Sequence, residues 1–146
     1  MSHVNPIPKG YHTVTPYLIV TGAERLIEFL KQAFEAEEIY RSTLPDGRIG
    51  HTELRIGDSM IELAEGNEQW KPMTCAIHLY VPDTDAVYRS AIEAGGVSLF
   101  EPADTFYGDR SGGVTDPSGN QWYIATRQEE LTPEELDRRA RAAGKG

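Results

Sequence analysis

The sequence predicts an α+β fold made of two copies of a β-α-β-β-β unit, closed by a short C-terminal helix. Three observations lead there. The stretch Thr74-Cys-Ala-Ile-His-Leu-Tyr-Val81 repeats the pattern of Thr13-Val-Thr-Pro-Tyr-Leu-Ile-Val20, each followed by a polar break and an amphipathic run. A shift of 61 positions lays His78 on Tyr17, Asp83 on Gly22, Val87 on Leu26, Ala91 on Leu30 and Ala94 on Ala33. The same shift lays Asn120-Gln-Trp-Tyr-Ile-Ala125 on Ser59-Met-Ile-Glu-Leu-Ala64. Spacing kept over so long a stretch indicates duplication, although few identities remain.

The elements follow in order. Residues 1–12 carry Pro6, Pro8 and Gly10 and read as an extended lead-in. Thr13 to Val20 alternates as a strand, with Val14, Leu18 and Val20 on one face and Thr13, Thr15, Tyr17 and Ile19 on the other. Pro16 lacks an N–H, which places it at an edge or an unpaired position. Ala23 to Phe34 has the apolar stripe of a helix at Ala23, Leu26, Ile27, Leu30 and Phe34. Glu38 to Leu44, Ile49 to Ile56 and Ser59 to Glu65 are strands separated by Pro45-Asp-Gly47 and Gly57-Asp58 turns. Module 1 therefore covers residues 13–65, and the polar stretch 66–73 links it to module 2, residues 74–127.

Module 2 opens with Cys75, Ile77, Leu79 and Val81 on one strand face, and Thr74, Ala76, His78 and Tyr80 on the other. Asp83 is positioned to cap a helix lined by Val87, Ala91 and Ala94, with Gly95-Gly96 ending it. Val97 to Glu101 is a strand, Tyr107 to Gly113 a Gly-rich loop before a short strand near Val114, and Asn120 to Thr126 the last strand. Residues 128–146 form a helical tail in which Thr132-Pro-Glu-Glu135 supplies an N-cap, a proline at the first helical position and acids in the first turn.

Composition narrows the function. The chain has 146 residues, 25 % charged and 39 % apolar, and no apolar run near the roughly 18 residues of a membrane span. Its start lacks the basic and apolar regions of a secretory signal, and a single cysteine, Cys75, fits a reducing compartment, so the expected location is the cytoplasm. The net charge of −9, from 14 basic and 23 acidic residues, opposes nonspecific binding to nucleic acid. No membrane or nucleic-acid partner is expected. There is no Gly-x-Ser-x-Gly, phosphate loop or dinucleotide fingerprint.

The sequence resembles the vicinal oxygen chelate superfamily, also called the glyoxalase/bleomycin-resistance/extradiol-dioxygenase superfamily, and within it the PhnB-like branch. The resemblance covers nearly the whole chain. It rests on Thr15-Pro-Tyr-Leu-Ile-Val20, on His78-Leu-Tyr-Val-Pro-Asp-Thr-Asp-Ala86, on Gly108-Asp-Arg110 followed by Thr115-Asp-Pro-Ser-Gly-Asn-Gln-Trp122, and on Thr132-Pro-Glu-Glu-Leu-Asp-Arg-Arg139. It implies cupped mixed sheets with helices on the outer side, a small-molecule site on the cupped face, and commonly a homodimer.

In metal-dependent members the resemblance places ligands on the first and last strands of each module. The matching positions are Tyr17 and Glu62, then His78 and Tyr123, and both 78 − 17 and 123 − 62 give 61. Only His78 and Glu62 are ordinary metal ligands, whereas a catalytic divalent metal usually takes three. His51 is a further candidate ligand outside the usual family set, with Glu53 two residues on. Two functions follow. One is a metal-independent small-molecule binding protein requiring no cofactor, with Tyr17, His51, Trp70, Arg110 and Tyr123 as substrate-binding candidates. The other is a metal-dependent lyase, isomerase or dioxygenase holding Zn, Ni, Mn or Fe on His78 and Glu62, with Glu62 as catalytic base. Each residue also has a structural reading: Glu62 can pair with Arg55, the tyrosines can pack, Arg110 can be solvated, and Trp70 can cover core or a partner instead of a ligand. Cys75 is expected to point into the apolar layer, which argues against a nucleophile.

Overall fold

In the computed structural model, residues 3–144 are described, so the first two residues of the lead-in and the last two of the tail lie outside it. The order is β1 (Tyr17–Val20), α1 (Ala23–Phe34), β2 (Glu37–Thr43), β3 (Ile49–Ile56), β4 (Ser59–Glu65), β5 (Ala76–Tyr80), α2 (Thr84–Glu93), β6 (Val97–Asp104), β7 (Asp109–Thr115), β8 (Gln121–Arg127) and α3 (Pro133–Ala142). The two sheets have equivalent strand orders, β1-β4-β3-β2 and β5-β8-β7-β6. In each, the first strand runs parallel to the fourth, and the other neighbours are antiparallel.

The duplication is visible in register. Tyr17 pairs with Glu62 in the first sheet, and His78 pairs with Tyr123 in the second. It also extends to the start of each helix. Glu65, ending β4, accepts hydrogen bonds from the Gly22 and Ala23 N–H groups at 3.0 and 2.9 Å. Its equivalent Thr126 accepts from Thr84 N at 3.0 Å. Both satisfy N–H groups that a helix leaves unpaired at its first turn. Asp83 caps α2 as expected, accepting from Ala86 N at 3.1 Å.

Several expectations are corrected. β1 starts at Tyr17, because Pro16 has no N–H for a ladder; its carbonyl instead accepts from Glu62 N at 2.9 Å. Val14, expected on the buried face, precedes the strand and is exposed. β5 starts at Ala76, and Cys75 is exposed rather than set in the apolar layer. Partial desolvation and the Asp116 carboxylate push the Cys75 thiol pKa up, which still disfavours a nucleophile. Most of the Gly-rich loop is the strand β7. Its glycines leave room for aromatic rings: a Cβ on Gly113 would meet the Phe100 ring at 2.5 Å, and one on Gly112 would crowd Tyr88 and Pro102 at 3.2 Å.

The helices are buried unequally. α1 buries Ala23, Leu26, Ile27, Phe29, Leu30, Ala33 and Phe34, whereas α2 fully buries only Thr84 and Ala91. The difference follows from the sequence: α1 has large apolar residues through its stripe, while α2 has Val87, Ala91 and Ala94. The modules meet where α1 approaches α2 and where the Phe34 and Trp122 rings stand 5.0 Å apart. Ser118 Oγ donates across the junction to Thr21 O at 2.8 Å.

Asp116 organises that junction. Its side chain is 4 % exposed overall as a residue and accepts from Ser118 N, Asn120 N, Asn120 Nδ2 and Trp122 Nε1 at 2.8 to 3.0 Å. Asn120 Oδ1 in turn accepts from Cys75 N, tying the linker end to β8. None of the described helices is long and apolar enough to cross a membrane. Replacing Asp116→Ala strands the Asn120 and Trp122 donors in the core. Since each stranded buried donor costs about 1–3 kcal/mol, the expected loss is roughly 3 kcal/mol, read as a lower urea midpoint at unchanged m-value.

Candidate functional site

The strand faces turned away from the helices carry the polar and aromatic residues. On β3, Thr52 and Leu54 face the core at full burial, so His51 and Glu53 face the other way. On β4, Leu63 is buried and Glu62 projects beside them. His51 Nε2 lies 3.0 Å from Glu53 Oε2 and 3.2 Å from Glu62 Oε1, and its Nδ1 lies 3.2 Å from Tyr17 Oη. These three side chains are about a quarter exposed. Tyr11 from the lead-in donates its hydroxyl to Glu53 Oε1 at 2.7 Å.

The electrostatics agree with this geometry. The Tyr11 hydroxyl, followed by His51, holds the Glu53 carboxyl below its ordinary 4.5. Burial, then the hydrogen bond to Glu53, pushes the Tyr11 phenol well above its usual range. Burial and the Glu62 charge raise Tyr17. Both phenols stay protonated donors at neutral pH.

The second module presents a different face. His78 is exposed, its ring 4.7 Å from Tyr80 and 6.5 Å from Tyr123 between ring centres. Tyr123 donates its hydroxyl to Gln121 and stands 6.2 Å from Phe100. Among the described residues His78 pairs with no carboxylate. A groove of about 890 Å³ between the modules reaches both sides of β5, with Phe34, Ile61, Leu79, Val87 and Trp122 in its apolar part.

The structure thus brings Tyr17, His51 and Glu62 together and places His78 with Tyr123 on the other sheet. Arg110 lies in β7 rather than a loop, and Asp85 takes it bidentately at 2.6 and 3.1 Å with Asp104 at 3.2 Å. Its guanidinium is engaged by acids of its own module. Trp70 stands exposed in the linker, where Asn67 Oδ1 accepts from the Gln69 and Trp70 N–H groups. Glu62 does not pair with Arg55, which reaches Glu37 at 2.7 Å. Sequence reasoning missed Tyr11, because nothing in the extended lead-in signals its return to β3. Alternation with His51 was the one signal for Glu53.

A metal in the four family positions does not suit this donor set. Two of the four groups are phenols, which bind divalent ions poorly while protonated, and the remaining imidazole and carboxylate fall short of the three protein ligands a catalytic divalent metal usually takes.

Comparison with known proteins decides the family. The model of the Glyoxalase/Bleomycin resistance protein/Dioxygenase superfamily matches residues 10–124. The chain belongs to that superfamily. An uncharacterised protein of Mycobacterium bovis is 33 % identical over 144 residues, spanning 91 % of this chain and 95 % of its own. An uncharacterised protein of Mycobacterium tuberculosis is equally similar, over 85 % of its length. Among solved structures, TioX from Micromonospora sp. ML1 has a TM-score of 0.69 at 20 % identity, covering 80 % of this chain and 98 % of TioX. A glyoxalase-related enzyme from Fulvimarina pelagi has a TM-score of 0.65 at 16 % identity, covering 79 % and 87 %. At these identities the structures speak for the fold alone.

The depressed Glu53 gives a pH test. A carboxyl lowered by folding contributes stability above its ordinary 4.5 and loses it as pH falls through the folded value. Tyr11→Phe removes the leading cause, so the Glu53 carboxyl moves back up toward 4.5, and the stability it contributes above that pH and loses on acidification becomes smaller. Side-chain carboxyl NMR titration of both proteins measures this; an unmoved Glu53 contradicts the assigned cause.

Proposed function

We propose that this superfamily member is a small-molecule-binding protein of the glyoxalase/bleomycin-resistance kind, with its ligand on the open faces of the two sheets. The contrast between strand faces supports this most directly. Strands that turn aliphatic residues toward the helices turn Tyr17, His51 and Glu62, and then His78 and Tyr123, toward solvent. Aromatic surface with a few oriented polar groups on a rigid sheet is the composition of a ligand site. Recognition in this reading proceeds by stacking and hydrogen bonding, without an ion in the four family positions. Glu62, 3.2 Å from the His51 ring, adds a carboxylate to the polar groups of this face.

The proposal includes a homodimer. Each sheet offers half of the polar set, and Tyr80, Val97, Leu99 and Phe100 leave the second module with exposed apolar surface that a second copy would cover. It also includes membership of the PhnB-like branch, supported by the 115–122 motif and the helix at Thr132–Arg139, and cytoplasmic residence, supported by the lone cysteine.

Amide NMR spectra titrated with bleomycin and a set of aromatic fragments test this reading. Shifts are expected to concentrate on β1, β3, β4, β5 and β8. Tyr17→Ala and Tyr123→Ala each weaken binding by about fivefold, as loss of an aromatic contact worth roughly 1 kcal/mol implies. Shifts confined to the linker or the helix-side groove overturn it.

A further inference from the structure

We propose that the open face of the first module is a site for a first-row divalent transition-metal ion, held by His51, Glu53 and Glu62. This donor set lies wholly within one sheet and uses neither His78 nor Tyr123. It does not depend on which small molecule the face binds.

The spacing is the first argument. The three ligand atoms, one from each residue, lie within 4.8 Å of one another, and the imidazole nitrogen is 3.0 and 3.2 Å from the two carboxylate oxygens. Around an ion bound at about 2.1 Å, neighbouring donors stand roughly 3.0 Å apart in an octahedron and roughly 3.4 Å apart in a tetrahedron. The imidazole nitrogen already stands at such separations from each carboxylate.

Charge is the second and independent argument. Glu53 and Glu62 are direct cross-strand partners of β3 and β4, an arrangement in which like charges repel. Among the described residues neither carboxylate pairs with lysine or arginine, and Arg55, next on the same strand face, is engaged by Glu37. His51 Nε2 carries at most one proton, yet two carboxylates converge on it. A dication at the point of convergence neutralises both acids and leaves the imidazole a neutral ligand.

The surrounding hydrogen bonds fit the same role. With Nε2 on the ion, Nδ1 keeps its proton and donates to Tyr17 Oη. Tyr11 holds the far oxygen of Glu53, Oε1, and leaves Oε2 for the ion. One imidazole with two carboxylates suits zinc, manganese, iron or nickel better than a soft ion, and three protein donors leave positions open on the solvent side.

Tag-free full-length protein, stripped by chelator and titrated calorimetrically with Zn²⁺ and separately with Mn²⁺ and no other ligand, tests the proposal. One ion per chain is expected. His51→Ala and Glu53→Gln lower affinity by roughly 100-fold, Tyr17→Phe by about tenfold, and His78→Ala leaves it unchanged. In the unaltered protein, Mn²⁺ broadens amide signals around His51, Glu53 and Glu62 more strongly than those around His78 on β5, which decides the matter even where a variant fails to fold. Absence of stoichiometric binding by both ions, full affinity in Glu53→Gln, or broadening centred on His78 overturns it. Because the ion is the only probe, failure here leaves the small-molecule reading standing.

Discussion

The Asp116 carboxylate sits almost wholly out of water and is matched by four N–H donors, two from the turn that follows it and two from side chains on either side of the start of β8. A buried charge is tolerated only with such satisfaction. The arrangement has consequences well beyond the turn. It orients Trp122, the largest fully buried side chain, so that the indole meets Phe34 at the end of α1. It orients Asn120 to hold the linker at Cys75, and it shapes the turn from which Ser118 reaches Thr21 in the other module. Gly119, at φ +92°, completes that turn in a conformation that a side chain would strain.

Around this junction the two modules share a backbone plan but divide the chemistry. The end of the fourth strand serves the start of the helix in both, through a carboxylate in one and a hydroxyl in the other. The first module buries its helix deeply and displays a charged, hydrogen-bonded face of His51, Glu53 and Glu62. The second buries its helix lightly and displays an aromatic face of His78, Tyr80, Phe100 and Tyr123. Duplication preserved the register of Tyr17 with Glu62 and of His78 with Tyr123, while substitution separated what each pair can do.

Legibility in the sequence followed the range of the interaction. The bounds of α1, β3 and β4 could be read because a 3.6-residue stripe, strict alternation and Gly-Asp turns are local signals. β7 could not, because its Gly112-Gly113 pair looks like a loop until Tyr88, Pro102 and Phe100, distant in sequence, occupy the space above it. Arg110 looked available for a ligand for the same reason: Asp85, 25 residues earlier, is its partner only in the folded chain. Glu62 and His51 could both be named as candidates, but not their contact, because strand register decides which open-face residues touch.

By itself the sequence determined the duplicated β-α-β-β-β architecture, the apolar face of each strand and the equivalence of positions 61 residues apart, since all of these are periodic properties of one chain segment at a time. Only the tertiary structure decided that His51, Glu53 and Glu62 form one cluster with Tyr11 and Tyr17, that His78 stands apart from it, and that Asp116 belongs to the core and not to a site. Those outcomes depend on how strands register and on how the two modules meet across Phe34 and Trp122. Contacts between residues far apart in sequence leave no period to read.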